Sequence, residues 1–424
     1  MAHRHGEDRL TGLRLTGMEK SWIMYDVGNS AFVLMLATVI PIYFNFIAEG
    51  ELSSVDYLAY WGYAASMATL ACALLGPVLG TYSDRKGTKV WLFVGVVAVG
   101  VCSCALLGFV NTWVVFLALI VVARLAYSLS LIFYDSMLVD ITTFEKADRV
   151  SAMGYAWGYL GSCIPFVVCL ALILGCDMFG ITMQQGMTLS MIIVAVWWVG
   201  STIPLVRKYR QKHFISKEES KGALLTLART IRSAKTSNKA FVFLIAFFFF
   251  IDGVYTIIEM ATAYGQAIGL DSTMLLVALL VTQVVAFPST IIIGRLSGRV
   301  DPSKLIVVCI VAYMLITMFA VGLDNITEFF ILATLVGMFQ GGIQALSRSY
   351  FAKIIPPQRS GEFFGLMDVF GKGASFMGTM VVSLVSQMTG DMSLGILSIM
   401  VLFIVGLVVF VKSAKMPADV QSDS

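Results

Sequence analysis

The chain has 424 residues, of which 58% are hydrophobic and 13% are charged, and its mean hydropathy is +0.86. Soluble domains carry about 25% charged residues, so this composition excludes an ordinary soluble protein and indicates an integral membrane protein. The net charge of +3 reflects basic loops that face anionic lipid, and it indicates no nucleic-acid partner.

Twelve apolar stretches follow one another, each long enough to cross a hydrocarbon core of about 30 Å as a helix. We number them spans 1 to 12, and they lie at residues 21–46, 58–81, 90–110, 113–137, 151–174, 187–206, 240–264, 272–294, 304–323, 326–347, 363–388 and 392–412. They predict an all-α membrane protein with a tail (1–20), a six-helix bundle (21–206), a linker (207–240), a second six-helix bundle (241–412) and a second tail (413–424).

Lysine and arginine occupy alternate gaps between the spans. The gaps after spans 1, 3, 5, 7, 9 and 11 contain neither residue, whereas the other gaps and both tails are basic. Among the basic residues counted as loop residues are Lys89 after span 2 and Arg348 and Lys353 after span 10. Cationic loops resist translocation, so both termini are predicted to be cytoplasmic. We call the side with the loops after spans 2, 4, 6, 8 and 10 the basic side.

The linker is the longest polar segment. Within it, Leu224, Leu227 and Ile231 recur at helical spacing, with Arg229 and Arg232 on the opposite face. This pattern predicts a basic amphipathic helix on the inner leaflet, and a partner-binding helix is the alternative. Short loops and small tails favour a bacterial cytoplasmic membrane, with a eukaryotic vacuole as the alternative.

The two halves of the chain repeat one motif. Residues 80–87 (GTYSDRKG) follow span 2, and residues 294–301 (GRLSGRVD) follow span 8, with Gly, Ser and Arg at matching positions. The repeat predicts two pseudo-symmetric six-helix bundles. The second motif departs from the first at one functional position, because Gly298 stands where the first motif has Asp84.

Several segments carry a family resemblance. Residues 76–87 (GPVLGTYSDRKG) resemble the loop between spans 2 and 3 of the major facilitator superfamily. Residues 21–32 (SWIMYDVGNSAF), 252–258 (DGVYTII) and 363–372 (FFGLMDVFGK) resemble its autophagy-related vacuolar effluxer-like branch, which includes uncharacterised bacterial members. The resemblance covers all twelve spans. It implies a major facilitator fold whose bundles rock about a central site, with spans 1, 4, 7 and 10 lining the cavity.

The resemblance also implies a latch in the loop after span 2, formed by Gly80, Asp84, Arg85 and Gly87. Asp84 is expected to cap the cytoplasmic end of span 11 and to pair with a basic residue after span 4, for which Arg149 is the candidate. Such a latch would favour the outward-facing state and break when the inner gate opens. A tight turn with a solvated charge is the alternative.

Ionisable residues inside the spans cost at least about 2.5–3.5 kcal/mol each to insert, so each indicates a function or a partner. They are Asp26, Arg124, Asp135, Asp252, Glu259, Asp368 and Lys372. We predict that Arg124 and Lys372 hold an anionic group of the cargo. Asp252 or Glu259 would then take its amine or a coupling proton, since burial raises the pKa of a carboxyl group.

A structural alternative accounts for the same charges. Asp368 and Lys372 lie four residues apart on one helix and can pair with each other, while Asp135 or Asp26 can neutralise Arg124. Asp26 and Asp135 lie nearer the inner surface and are predicted to be gate residues. The predicted pathway also includes three polar residues, Asn29, Gln340 and Gln344.

These features predict a secondary active transporter of a small polar metabolite, first an amino acid or similar zwitterion, with proton coupling and alternating access. The resemblance implies efflux. Two alternatives stay open: a proton-coupled exporter of amphipathic drugs or lipids, and a non-transporting sensor or scaffold that acts through the linker. No phosphate-binding glycine loop, catalytic triad or strong metal motif is found, so we expect no enzyme activity, cofactor or metal. The expected partners are the cargo, a proton and membrane lipids, with the protein a monomer.

Overall fold

The computed structural model describes residues 14–216, 239–267 and 269–417, and the predicted amphipathic helix of the linker lies outside them. Within the described residues, eleven helices are long and apolar enough to cross a membrane. A twelfth span is completed when the helices Gly17–Ala37 and Val39–Ala48, which are bent by 41° relative to each other, are counted as one. The predicted all-α membrane fold is confirmed.

The helices keep the order of the predicted spans. Span 1 is Gly17–Ala37 with Val39–Ala48, and spans 2 to 12 are Ser54–Ser83, Thr88–Leu107, Trp113–Ser136, Ala147–Leu174, Met183–Lys208, Lys239–Ala267, Ser272–Leu296, Pro302–Val321, Ile326–Ile354, Ser360–Thr389 and Met392–Lys415. Short helices at Leu138–Ile141, Cys176–Phe179 and Pro357–Arg359 lie in the connections.

Polar residues determine where several helices begin. Thr16 and Glu19 form a capping box at the start of span 1, and Thr182 and Gln185 form another at the start of span 6. The Asn325 side chain caps span 10. Each cap provides an acceptor for backbone N–H groups that have no partner within the helix. Spans 1 and 6 therefore begin earlier than their apolar stretches.

Two predicted boundaries were wrong in a way that affects the functional site. Span 10 continues to Ile354 instead of ending at residue 347, and span 3 begins at Thr88 instead of residue 90. Arg348 and Lys89 therefore lie inside helices, where they are 3% and 0% exposed, and not in loops. Both cations are buried because each finds a carboxylate inside the protein.

The buried apolar residues form two clusters, one for each half. The first cluster packs spans 1–6 around Trp22, Phe32 and Trp198, and the second packs spans 7–12 around Phe250 and Phe403. The second cluster also includes residues of spans 2 and 4: Cys72, Leu129 and Ile132. The two cores therefore meet along the faces of these two spans.

Glycines on span 5 bring it close to span 1. A Cβ atom added at Gly161 would lie 2.5 Å from Cγ1 of Val27, and one added at Gly158 would lie 2.9 Å from Oγ of Ser30. Small residues at such positions allow two helices to approach closely. This packing holds Asp26 of span 1 against span 5, at the interface with the second half.

Candidate functional site: charged groups between the two halves

The halves meet on the basic side, where span 2 crosses span 11. A Cβ atom added at Gly80 would lie 2.2 Å from the carbonyl oxygen of Gly361, and one added at Gly365 would lie 2.8 Å from Cα of Pro77. Glycine is required here because the two backbones touch. The contact brings the N-terminus of span 11 against the loop after span 2.

Asp84 caps that N-terminus. Its Oδ1 accepts a hydrogen bond from the N–H of Gly361 at 2.8 Å, and its Oδ2 accepts one from the N–H of Glu362 at 2.9 Å. The partial positive charge of a helix N-terminus favours a carboxylate there. Burial nevertheless raises the pKa of Asp84 to about 6, against the opposing effects of Lys89 and the two N–H groups. The cap that the resemblance implied is present.

The cation that faces Asp84 is Lys89, so the predicted pairing with Arg149 was wrong. Nζ of Lys89 lies 3.5 Å from Oδ1 of Asp84 and donates a hydrogen bond to Oγ of Ser360 at 2.9 Å. Lys89 reaches both groups because it lies in the first turn of span 3, directly after the loop. Arg149 lies beside Gly294 of span 8, at the other crossing between the halves.

The remaining loop residues shape the turn that carries Asp84. Gly87 has a φ of +74°, in the left-handed region that favours glycine. Its N–H donates to Oε1 of Gln211 at 2.9 Å, and Nε2 of Gln211 donates to the carbonyl of Ser83 at 3.2 Å. The Arg85 guanidinium lies 4.3 Å from the centre of the Tyr82 ring. The first residues of the linker therefore hold this turn in place.

A buried arginine of the second half binds three spans of the first half. Nη1 of Arg348, on span 10, donates to Oδ1 of Asp135 at 2.9 Å, and Nη2 lies 3.5 Å from Oδ2 of Asp26. Nε and Nη2 donate to Oγ and the carbonyl of Ser151 at 2.9 Å and 3.0 Å. We call Asp26, Asp135 and Arg348 the buried triad. It includes both predicted gate residues.

Aromatic side chains enclose the triad. The Arg348 guanidinium lies 4.3 Å from the centre of the Tyr155 ring and 4.6 Å from that of the Trp22 ring, in cation–π geometry. The Tyr134 hydroxyl donates to Oδ2 of Asp26 at 2.7 Å. Because water is largely excluded, the triad is stable only while all its charges are partnered.

A second ion pair crosses between the halves closer to the surface. Nζ of Lys353, also on span 10, donates to Oδ2 of Asp148 of span 5 at 2.5 Å. Both side chains are largely buried, at 11% and 5% exposed. Span 10 therefore binds span 5 through Lys353 as well as through Arg348.

The prediction that Asp135 or Asp26 neutralises Arg124 was wrong, because Arg348 binds both carboxylates. The acidic group that acts electrostatically on Arg124 is Glu259 of span 7, in the other half. Among the described residues, Arg124 forms no hydrogen bond and no ion pair within 4 Å. An unpartnered guanidinium inside a span is costly, so Arg124 is a strong candidate for binding an anionic group.

Asp368 and Lys372 form the ion pair that their spacing on span 11 allows. Nζ of Lys372 lies 2.5 Å and 2.6 Å from the two carboxylate oxygens of Asp368. The Cys72 thiol of span 2 donates to Oδ2 of Asp368 at 3.2 Å and accepts a hydrogen bond from Nζ of Lys372 at 3.3 Å. The Cys72 thiol therefore connects this ion pair to span 2 of the first half.

Asp252 lies inside the second half, between spans 7 and 11. Its Oδ1 accepts hydrogen bonds from the N–H of Gly378 at 2.9 Å and from the Thr256 hydroxyl at 3.4 Å. Its Oδ2 is buried and has no hydrogen-bond partner within the described part of the chain. The structure does not bring Asp252 into contact with Arg124 or Lys372, with which the sequence analysis grouped it.

The three predicted polar residues lie in different surroundings. Nδ2 of Asn29 donates to Oδ1 of Asp26 at 3.5 Å, which places Asn29 beside the buried triad. Oε1 of Gln344 accepts from the Tyr159 hydroxyl of the first half at 3.5 Å. Gln340 instead lines a mainly apolar cavity between spans 7, 8 and 10. Gln344 therefore joins the halves, whereas Gln340 lies within the second half.

Comparison with known proteins identifies the family. The family model described as "Vacuole effluxer Atg22 like" matches residues 139–416. The uncharacterized MFS-type transporter YxiO of Bacillus subtilis (strain 168) is 39% identical over 418 residues, which cover 97% of each chain. The chain belongs to the Atg22-like family of major facilitator transporters. Autophagy-related protein 22 of Coccidioides immitis (strain RS) is 24% identical over 301 residues, 63% of this chain and 49% of the fungal protein.

Solved structures show the fold of this Atg22-like protein. A bacterial homologue of the iron transporter ferroportin, in an outward-facing state with soaked iron, aligns with a TM-score of 0.72 at 16% identity and covers 95% of this chain and 100% of its own. The MFS transporter FucP in the outward conformation aligns with a TM-score of 0.69 at 14% identity, covering 94% and 98%. The major facilitator fold is confirmed. The relative at 39% identity and the family model make the protein a multi-pass membrane transporter of the MFS type.

Sequence reasoning missed the central cation of this Atg22-like site. Arg348 follows the apolar stretch of span 10, and a basic residue at that position is normally a loop residue. A signal was nevertheless present, because Leu346, Tyr350 and Ile354 continue the helical spacing of apolar residues past Arg348, and all three are buried. The spacing of apolar residues, followed past the end of the apolar stretch, would have placed Arg348 inside the helix.

Proposed function

We propose that this Atg22-like protein is a secondary active transporter of a small polar zwitterion, an amino acid or a molecule like it, and that transport is coupled to protons. The observation that carries the proposal is that Arg124 lacks a direct partner among the described residues and lies in the field of Glu259 of the other half. A zwitterion would place its carboxylate on Arg124 and its ammonium near Glu259. Charge-assisted hydrogen bonds of this kind are among the strong ones.

Glu259 is the carboxylate that we assign to the cargo amine or to the coupling proton. Of the other described carboxylates predicted for the span interiors, two bind Arg348, one binds Lys372, and Asp252 is buried within the second half. Glu259 belongs to the second half and acts electrostatically on Arg124 of the first. A change in its protonation would therefore change the attraction between the halves.

The positions of the contacts that join the halves support alternating access. The Asp84 cap, the buried triad and the Lys353–Asp148 pair all join the two halves in the half of the spans nearer the basic side. Release of cargo on that side requires these contacts to separate, and rocking of the two bundles would separate them together.

Ligand-dependent stability of the full-length protein in detergent tests the cargo class. The ligands are amino acids, sugars, organic acids and amphipathic cations, since a ligand at 100 times its Kd adds ~2.7 kcal/mol to stability. We expect a higher melting temperature with amino acids, with the increase reduced in Arg124→Gln and kept in Arg149→Gln, which makes the same change on span 5. A shift with amphipathic cations alone would contradict the proposal and favour an exporter of amphipathic compounds.

Proteoliposomes test the coupling. We expect Glu259→Gln to abolish amino-acid transport driven by a proton gradient and to keep exchange of external for internal amino acid. Asp252→Asn, the matched control, should keep both, because the amide oxygen can still accept the Gly378 N–H. Proton-driven transport that survives Glu259→Gln would overturn the assignment of Glu259. Gradients of both directions show whether the protein imports or exports.

A further inference from the structure

Two charged clusters at the interface differ in what they hold together. Arg348 binds three spans of the opposite half and is 3% exposed, so it cannot leave its partners unless the halves separate. Asp368 and Lys372 lie on the same helix, and their side chains are 15% and 25% exposed. This second pair can open while the halves stay in contact.

The carboxylates of the two candidate sites lie at different depths, whereas the two cations lie at the same depth. Glu259 lies about 30 Å along the helix of span 7 from its basic-side end, at 1.5 Å per residue, and Asp368 lies about 12 Å along that of span 11. Arg124 and Lys372 each lie about 18 Å along their helices from the basic side, so Glu259 lies beyond the level of these two cations and Asp368 lies on the basic side of that level. Cargo that moves between the two sides meets the two carboxylates in turn.

We propose that the Asp368–Lys372 pair is a second binding station for the zwitterion, which opens the pair and places its ammonium on Asp368 and its carboxylate on Lys372. This inference rests on the proposed function and adds an inner station to the site at Arg124 and Glu259. The internal ion pair keeps the station neutral while no cargo is present.

Charge balance gives the station its selectivity. A zwitterion replaces one internal ion pair by two ion pairs, and the net charge of the site stays at zero. An anion would bind Lys372 and leave Asp368 unpartnered, and a cation would do the reverse. An unpaired charge in a largely desolvated site is strongly destabilising. The station therefore accepts molecules that carry an ammonium and a carboxylate close together, and it excludes analogues that carry only one of these two charged groups.

Cys72 provides a direct readout of the station. Its thiol is fully buried and bonds to both members of the pair. Cargo between Asp368 and Lys372 would take the place of these contacts and cover the thiol from the interface side. Thiol-directed reagents should then reach Cys72 more slowly.

Binding by two variants tests the station. The ligands are the amino acids with uncharged side chains, each also as its N-acetyl derivative (anion only) and its α-amide (cation only). We expect the wild type to bind the free amino acid and neither derivative. Asp368→Asn/Lys372→Gln removes both charges together, so its melting temperature without ligand should match the wild type while its affinity falls about tenfold or more, ~1.4 kcal/mol per factor of ten. Asp368→Lys/Lys372→Asp keeps an ion pair and should also lose affinity.

Alkylation of the full-length protein by N-ethylmaleimide, read at each cysteine by mass spectrometry, separates the two proposals. Cys163, partly buried on span 5, is the internal reference. We expect a saturating amino acid to slow Cys72 labelling severalfold relative to Cys163, and to do so in neither double variant. An amino acid that binds the wild type and leaves Cys72 labelling unchanged, or that binds both variants with wild-type affinity, overturns the station alone. Absence of any amino-acid binding overturns the proposed function itself.

Discussion

The two crossings on the basic side are related by the duplication of the chain, yet they are held together in different ways. Where span 2 crosses span 11, the loop carboxylate Asp84 binds backbone N–H groups of the other half. At the crossing of span 8 with span 5, Gly298 occupies the position equivalent to Asp84. There the halves are joined by cations of span 10, Arg348 and Lys353, which bind carboxylates of the first half.

Because of this difference, the contacts at the two crossings should respond differently to substitutions. The first crossing keeps part of its contacts when Asp84 is changed, because Lys89 still donates to Oγ of Ser360 and to the carbonyl of Ser136. A buried triad contributes to stability only when it is complete, because each missing partner leaves a desolvated charge. The first crossing is therefore suited to tuning by small changes, and the second to an all-or-none contact.

The largest effect is expected at the second crossing. Arg348→Met leaves the carboxylates of Asp26 and Asp135 buried without their cation, and removing one partner of a buried ion pair costs about 3–5 kcal/mol. We expect a correspondingly large fall in melting temperature in detergent. Arg149→Met, on span 5, is the control and should change stability by less than about 0.5 kcal/mol.

A triple variant shows whether the charges are the cause. Asp26→Asn/Asp135→Asn/Arg348→Met removes all three charges and should recover most of the stability that Arg348→Met loses, because replacing a whole buried ion cluster is often neutral. If the triple variant is no more stable than Arg348→Met, the loss comes from packing against Trp22 and Tyr155 and not from unpaired charge.

The comparison also shows what the sequence could reveal. The twelve spans were predictable because hydropathy and charge alternation depend on neighbouring residues, and the Asp84 cap was expected from the family resemblance of its loop. The partner of Asp135 was not predictable, because Arg348 reaches it from a helix more than 200 residues away in the chain. Lys89 was missed as the partner of Asp84 because span 3 begins before its apolar stretch and buries Lys89 in its first turn. The Asp368–Lys372 pair was predictable because both residues lie on one helix at a spacing that allows contact.

Asp252 shows the same limit of sequence-based prediction, here for a carboxylate whose partner is a backbone group. A carboxylate near the middle of a span indicates function or a partner, and the sequence alone could not decide between them. The partner is the backbone N–H of Gly378, which no side-chain pattern reveals. Charges that bond to backbone groups of another helix are therefore the hardest to interpret before the fold is known.

A smaller effect is expected from Asp84→Asn at the first crossing. The amide has one acceptor oxygen, so one of the N–H groups of Gly361 and Glu362 loses its acceptor, at a cost of about 1–3 kcal/mol, and Lys89 loses its carboxylate. Spin labels at the exposed residues Lys86 and Gln358, one in each half, would measure the separation of the basic ends. We expect Asp84→Asn to increase the population with a long distance. An unchanged distance distribution would show that the cap does not hold the halves together.

The same labels test a pH dependence with a defined sign. Burial raises the pKa of Asp84 to about 6 in the closed arrangement, whereas an exposed aspartate has a pKa near 3.9. The closed arrangement therefore binds a proton more tightly, so its stability falls as the pH rises from about 4 to about 6 and is level above that. The wild type should show this change in distance, and Asp84→Asn should lack it. Equal pH profiles would contradict the assignment.

Glycine substitutions compare the crossings at matched positions. Gly80→Ala puts a methyl group 2.2 Å from the Gly361 carbonyl oxygen, and Gly294→Ala puts one 2.3 Å from Cβ of Ala152. Each should weaken closure by roughly 1–3 kcal/mol through overpacking. The clash at Gly294 is with a side chain, so Ala152→Gly should rescue Gly294→Ala. The clash at Gly80 is with backbone, and Gly361 has no side chain to remove. Failure of the rescue would mean that the second crossing is also held by backbone contact.

The smallest effect is expected from introducing, at the second crossing, a carboxylate at the position equivalent to Asp84. Gly298 has room for a side chain, because a Cβ atom there would meet only the carbonyl oxygen of Arg295, at 3.4 Å. Gly298→Asp should place a carboxylate near the N-terminus of span 5, where such a charge contributes about 0.3–1 kcal/mol. Spin labels on the basic ends of spans 5 and 8 should then show a slightly larger closed population, and transport should slow modestly. Added to Asp84→Asn, the change should restore part of the lost closure. If it stabilises neither background, the second crossing depends on its buried cations alone, and the two halves have diverged in mechanism as well as in sequence.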